Sequence, residues 1–496
     1  MKAAADEREH EDIVAAGRPK VVETPAGPLY ASRVRIYPRG ISGFYRNIKW
    51  GVLAVCLAIY YVTPWIRFDR GPGAPDQAVL LDITNARGYF FWIEIWPQEI
   101  YYLTGLLLIG AVGLFLVSSL FGRLWCGYTC PQTVWTDLFM LVERWIEGER
   151  HQRMRLDRAP MSAAKFARKS AKHAAWLLIS LATGGAWIFY FNDAPTTMVE
   201  VLTGQSSLKL YFFVGLFTAT TYVLAGFARE QVCTYMCPWP RFQAAMLDEQ
   251  TLTVTYQAWR GEPRGKHKQG DSWEGRGDCV DCRACIAVCP TGIDIRDGMQ
   301  LECIGCGLCI DACNDIMGKV GRPRELITFA TLASQAERAK GHEAPYRLLR
   351  PRTIIYATML VAVSGAMLAA LLLRADVTLT VIRDRLPLFV TLSDGSIRNG
   401  YTVKIGNKAH EEREFRVLLD GAAVAGAEVS LGEAAGVSGE SVAVRADSVG
   451  TVRVYARLER AAVTAESLPV DIVLLDRTGR EVARERTVFR GPAGRP

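Results

Sequence analysis

The stretch CVDCRACIAVCPTGIDIRDGMQLECIGCGLCIDAC, residues 279–313, decides how the rest of the chain is read. It holds two tandem runs of the form C-x2-C-x2-C-x3-C, first Cys279, Cys282, Cys285 and Cys289, then Cys303, Cys306, Cys309 and Cys313. The first run ends in Cys289-Pro290, the pattern of bacterial two-cluster ferredoxins. Three closely spaced thiolates wrap three corners of an iron–sulfur cube on one tight loop. The fourth ligand comes from the other run, because the chain leaves each loop in the wrong direction to close its own cube. The spacing predicts two [4Fe–4S] clusters, one held by Cys279, Cys282, Cys285 and Cys313, the other by Cys303, Cys306, Cys309 and Cys289. Zinc sites use separated C-x2-C pairs instead, so zinc is the weaker reading.

Around this centre the composition splits into two populations. Half of the 496 residues are hydrophobic, yet the mean hydropathy is only +0.10, because apolar stretches alternate with densely charged ones. Uncharged spans occur at about 50–66, 100–120, 174–191, 210–227 and 353–373, near the ~20 residues a helix needs to cross a bilayer. Trp50, Trp65 and Trp187 sit near their ends, as interfacial aromatics do. The net charge of +7 is localised: residues 121–172 hold ten Lys and Arg, 319–352 hold eight and 192–207 hold none. Basic residues crowd the cytoplasmic loops of membrane proteins, so this bias argues against nucleic-acid binding. It predicts a cytoplasmic N-terminus, five spans, cytoplasmic ferredoxin runs and a C-terminus outside. The first 49 residues are polar and lack the apolar core of a signal peptide. Residues 89–98 read as an interfacial aromatic turn, 133–148 as an amphipathic helix on the membrane surface, and 251–278 as a mobile lead-in to the clusters.

A second constellation of cysteines flanks the spans. Cys126 and Cys130, then Cys233 and Cys237, each form C-x3-C-P just past the end of an apolar span. Proline after the second cysteine disfavours helix at that cysteine and suits a fresh helix start, so a break is expected at each pair. The pairs suit a soft ion such as Cu(I), with Met236 assisting, or a dithiol–disulfide cycle, or one four-thiolate metal site if the two helix ends meet. Buried structural cysteine is the plainer alternative. Cys56, alone in the first span, reads as a packing residue. There is no C-x-x-C-H for c-type haem, no P-loop, no strand-preceded dinucleotide fingerprint and no histidine within a span. Electrons therefore come from a protein, a quinol or a diffusible donor.

After the last span the period changes to two. Residues 377–384, 401–406, 414–419, 441–445, 451–457 and 469–475 alternate or are β-branched, separated by turns such as Asn399-Gly400. About seven short strands in ~120 residues predict an immunoglobulin-like β-sandwich. All 13 cysteines lie at or before Cys313, so this sandwich has no disulfide.

The chain resembles the cytochrome c oxidase accessory proteins of the CcoG/FixG/RdxA family. The likeness rests on PWIRFDR at 64–70, PDQAVLLDI at 75–83, GRLWCGYTCPQTVWTD at 122–137, IEGER at 146–150, CTYMCPWPRFQ at 233–243 and RGEPRG at 260–265. Both ferredoxin runs and RDRLPLFVTLSDGSIRNGYTVKIGNK at 383–408 extend it over nearly the whole chain. The resemblance implies a multi-pass protein of the bacterial inner membrane. Its implied role is reduction of Cu(II) to Cu(I) in the cytoplasm, in support of copper delivery and assembly of a cbb3-type oxidase, with that oxidase or copper chaperones as partners. It carries the eight ferredoxin cysteines over as cluster ligands and the four C-x3-C-P cysteines as copper or redox thiols. A quinol-linked conduit like the polyferredoxins of nitrate and nitrous-oxide reduction is one alternative, and a non-enzymatic assembly scaffold another. The expected architecture is a cytoplasmic segment 1–49, spans one to four within 50–250, a two-cluster ferredoxin domain 251–352, a fifth span 353–373 and a periplasmic immunoglobulin-like sandwich 374–496.

Overall fold

Long uncharged apolar runs fold as helices, which satisfy every backbone N–H and C=O within the segment. The computed structural model describes residues 35–71, 74–268, 270–342, 345–421, 426–432, 437–438 and 441–492. The N-terminal segment expected to be irregular lies outside them up to residue 34. The chain separates into two units, Met1–Arg67 with Gln77–Met367, and Phe68–Asp76 with Leu368–Pro496.

The first unit is helical. Its helices of twelve residues or more, among the described residues, are α1 (Phe44–Val62), α2 (Tyr101–Phe121), α3 (Pro131–Glu147), α4 (Ala163–Ile188), α5 (Leu208–Thr221), α6 (Leu308–Lys319) and α7 (Pro351–Leu372). Four helices are long and apolar enough to cross a membrane: Phe44–Trp65, Pro97–Phe121, Leu208–Ala228 and Pro351–Leu372. The expected span at 174–191 falls mostly in α4, whose first turns carry Lys165, Arg168, Lys169 and Lys172 and dilute its apolar half. The five expected spans are thus four on length and composition.

Three other expectations change. α1 begins at Phe44, ahead of the predicted boundary, because the buried Arg46 and Lys49 are neutralised by Asp137 of α3 at 2.9 and 3.4 Å. The aromatic segment before α2 is a meander of β1 (Val79–Asp82), β2 (Arg87–Phe90) and β3 (Ile93–Ile95). Glu94 is kept inside it by Arg87 at 2.9 Å. The lead-in to the clusters starts with a strand, β4 (Thr253–Tyr256), paired antiparallel with β5 (Ile327–Ala330), so the two strands bracket the ferredoxin cysteines.

α3 is no surface helix. Phe139 packs against Trp176 of α4, while Asp137, Glu143 and Glu147 are all buried. Buried carboxylates require partners. Glu143 meets Arg153 and Arg229 at 3.0 Å each, and Glu147 meets Lys169 and Lys172 at 2.9 Å each.

The second unit is a sandwich of two five-stranded antiparallel sheets. One joins β6 (Val377–Arg383), β7 (Val390–Thr391), β8 (Ile397–Asn407), β10 (Glu428–Leu431) and β13 (Ser448–Leu458). The other joins β9 (Arg413–Asp420), β11 (Val437–Ser438), β12 (Ser441–Val444), β14 (Ser467–Leu475) and β15 (Glu481–Arg490). Period two puts Tyr401, Val403 and Ile405 of β8 in the core with Phe415 of β9 and Phe489 of β15. The buried Tyr401 hydroxyl donates to the Val488 carbonyl at 3.0 Å, which keeps the phenol satisfied between the sheets.

Candidate cysteine-lined electron-transfer site

The two ferredoxin runs share one backbone device. Each C-x2-C spacer contains one residue with positive φ: Asp281 (50°) and Arg283 (55°) in the first run, Gly305 (67°) and Gly307 (74°) in the second. A left-handed residue turns the chain sharply between cysteines. In the first run ion pairs hold the turn, since Arg296 reaches Asp281 at 2.7 Å. In the second run glycine is needed, because a Cβ at Gly307 would lie 2.8 Å from the Tyr45 ring.

The runs cross as their spacing predicts. Cys279, Cys282, Cys285 and Cys313 line one cavity. Cys289, Cys303, Cys306 and Cys309 line another, whose wall also includes Cys285. The remaining walls are mostly apolar, among them Val254, Ile295, Met317 and Leu326. Burial pushes the Cys285, Cys303 and Cys313 thiols up to about 12. For Cys313 the neighbouring Cys285, Cys282 and Cys279 add to that rise. Thiols this insulated lose their protons only to a bound cationic centre. Two apolar cavities that together hold all eight thiols fit iron–sulfur clusters.

The C-x3-C-P pairs break their helices as proline dictates. Cys126 lies in the short helix Leu124–Tyr128, and Cys130 is the extended residue (ψ 128°) that caps α3 at Pro131. Cys233 lies in a π-helical turn, Val232–Met236, and Cys237 (ψ 123°) ends it before Pro238 and the helix Trp239–Met246. Arg229, between this turn and the π-helical end of α5, holds a strained φ of 43° through bonds to Gly226 and Glu143. The two helix ends meet. The Cys233 thiol is pushed up to about 12, first by burial and then by Cys130, Cys126 and Cys237. Cys126 Sγ donates to Gln243 Oε1 at 3.3 Å, and Arg123 Nε donates to the same oxygen at 3.1 Å. Burial raises the Cys126 thiol, with Arg123 opposing. Met236 is exposed, and Cys56 of α1 is a half-buried free thiol.

The turn of Cys126 and Gly127 abuts the second ferredoxin loop. Cys126 and Cys306 belong to one buried apolar cluster with Ile304 and Leu308. Gly127 lies so close that a Cβ there would stand 2.8 Å from the Ile304 carbonyl and 3.0 Å from Cys306 Cα. Arg123 Nη1 donates to the Leu301 carbonyl. Sequence reading missed this contact, which joins residues about 180 apart. It also missed the ion network of α3. One signal was readable: Glu143 and Glu147 are like charges at i,i+4, a repulsive pair on an isolated helix, so opposite charges had to reach them from elsewhere.

A 4Fe-4S dicluster domain profile matches residues 228–332, and a 4Fe-4S binding domain profile matches residues 103–148, which include Cys126 and Cys130. A profile for the IG-like fold at the C-terminal of FixG matches residues 367–492. Protein RdxA of Cereibacter sphaeroides is 50% identical over 94% of this chain and 99% of its own length. Nitrogen fixation protein FixG of Rhizobium meliloti is 47% identical over 95% of each chain. A solved FixG-related protein from Vibrio parahaemolyticus aligns with 23% of this chain and 95% of its own at 16% identity, with a TM-score of 0.20. Fold, cysteines and apolar helices together define a membrane iron–sulfur electron-transfer protein. The chain belongs to the FixG/RdxA family.

Proposed function

We propose that this protein reduces Cu(II) to Cu(I) at the four C-x3-C-P cysteines and thereby serves assembly of a cbb3-type oxidase at the bacterial inner membrane. The observation that carries the reading is the packing of Cys126-Gly127-Tyr128 directly on the loop of Cys306. Cys279, Cys282, Cys285 and Cys313 hold one [4Fe–4S] cluster, and Cys303, Cys306, Cys309 and Cys289 the other. When bound, these clusters supply single electrons. Cys285 lines both cavities and so occupies the position between them. Cu(II) gains one electron and becomes Cu(I), which soft thiolates prefer. Cys126, Cys130, Cys233 and Cys237 hold the product, and Gln243 keeps Cys126 oriented.

α4 supplies the fifth span. Its apolar half lies along α5, with Gly184 close enough that a Cβ would stand 2.9 Å from the Val214 carbonyl and from Thr218 N. Five spans put the ferredoxin cysteines in the cytoplasm and the immunoglobulin-like unit in the periplasm, where it docks oxidase or chaperone domains. The test is anaerobic mixing of reduced, cluster-loaded protein with Cu(II) and a Cu(I)-specific chelator. Wild type should yield one Cu(I) per cluster electron, and Cys126→Ser with Cys233→Ser should yield none above background. Oxidation of the clusters at the same rate with and without Cu(II) sinks the proposal.

A second reading has its own support, the 4Fe-4S binding profile over residues 103–148. Under it the four C-x3-C-P thiols hold a third iron–sulfur cluster. Iron content separates the two: about eight irons per chain favour copper, and a surplus of four that disappears in Cys126→Ser favours the cluster.

A further inference from the structure

Next to the second cysteine-lined cavity lies a third small one, lined by Arg39, Arg46, Arg144, Arg153, Asp137 and Pro290 among others. Pro290 lines both this cavity and the second cysteine-lined one, and it follows Cys289 directly. Four arginines and a single carboxylate thus line it, and that carboxylate is already taken. Asp137 is paired with Arg46 at 2.9 Å and with Lys49 at 3.4 Å.

The neighbouring acids do not balance the rest. Glu143 faces Arg153 at 3.0 Å but is shared with Arg229 at 3.0 Å and Lys172 at 3.8 Å. Glu149 is the carboxylate near Arg144: a Cβ at Gly40 would stand 2.9 Å from both Arg144 Nη1 and Glu149 Oε1. Among the described residues, the side-chain carboxylates nearest Arg39, Arg46, Lys49, Arg144 and Arg153 are Asp137, Glu143 and Glu149, while Lys49 also acts on the Cys306 thiol. Burial and the like charge of Arg46 both lower the Arg144 pKa. Two guanidinium donors are also left over. Arg46 is 4% exposed and Arg153 1%, and Arg46 Nη2 and Arg153 Nε are buried without an acceptor among the described residues. A buried cationic N–H without an acceptor is costly, and a neutral water would answer the hydrogen bond but not the charge.

We propose that this cavity binds a phosphate group. A tetrahedral oxyanion offers several acceptors and more than one negative charge, the combination that converging guanidinium forks recognise. The inference stands whether or not copper is the electron acceptor.

The test uses the full chain in detergent at constant ionic strength, with inorganic phosphate replacing chloride. The wild-type melting temperature should rise saturably. The apparent affinity should fall about tenfold or more in Arg144→Gln, since one charge-assisted hydrogen bond is lost. Arg39→Gln, at an exposed position, provides a second variant that should fold normally and show a similar loss. A parallel arm uses phosphatidylcholine nanodiscs with and without phosphatidylglycerol. Stabilisation by inorganic phosphate identifies a free phosphate, and stabilisation only by phosphatidylglycerol identifies a lipid headgroup. No rise with either, or an equal rise in wild type and both variants, overturns the proposal.

Discussion

The Tyr128 hydroxyl donates to the carbonyl of Cys306 at 3.0 Å, in a fully buried setting. One bond thus ties the turn between the first C-x3-C-P cysteines to the ferredoxin loop. In Tyr128→Phe the Cys306 carbonyl loses that donor, a cost of about 1–2 kcal/mol. Thermal unfolding should register it, and electron delivery to Cu(II) should slow while iron content stays unchanged. An unaltered rate would detach Tyr128 from the coupling.

Asp137 ties acid stability to the same region. Burial alone would raise its carboxyl, but Lys49 and Arg46 outweigh burial and hold it below the usual carboxylate range. A depressed carboxyl stabilises above its unfolded pKa of about 4, and the benefit is lost as pH falls through the folded value. Unfolding midpoints should therefore drop below about pH 4. Asp137→Ala, which strands two buried cations, should cost about 3–5 kcal/mol at neutral pH. A midpoint indifferent to acid would contradict the pairing.

The thiol site predicts the opposite sign. Cys233 is pushed up to about 12, so metal-free protein holds it protonated at neutral pH. Its contribution to stability is full below the unfolded thiol pKa of about 8.5 and fades as pH rises toward the folded value. Cu(I) has to displace that proton, so competition assays between pH 6 and 8 should show affinity climbing by up to about tenfold per pH unit for each proton released. A flat profile would remove Cys233 from the ligand set.

Asp311 predicts a coupling between α6 and the first span. Its carboxylate accepts the backbone N–H of Arg46 at 2.8 Å and of Tyr45 at 3.3 Å, capping α1. Asp311→Ala should cost about 1–2 kcal/mol, as lost caps do. Gly43→Ala should cost more, because the added Cβ would overlap the Asp311 carboxylate. Denaturant midpoints for both variants decide it.

Local spacing carried most of what was legible. The tandem cysteines predicted the crossed cavities because ligand order is written in the chain, and proline after Cys130 and Cys237 predicted the helix breaks. What escaped was set by contacts between distant segments. No pattern in residues 133–148 names Arg153, Arg229 and Lys172 as partners, so the helix read as amphipathic when its acids are interior. Hydropathy missed the meander around Glu94 because Arg87 neutralises it across the strands. It missed β15 because that edge strand, EVARERTVFR, carries five charged residues and buries only Phe489.

The cap on α1 has a consequence for how the molecule matures. Asp311 stands on α6 between Cys309 and Cys313, and these two thiols line different cavities. Whatever fixes both thiols also fixes the carboxylate that closes the first apolar helix. Metallation and completion of that helix are then one cooperative event, and a chain lacking either cluster keeps a frayed entry to its membrane anchor, a defect that quality-control proteases are equipped to find.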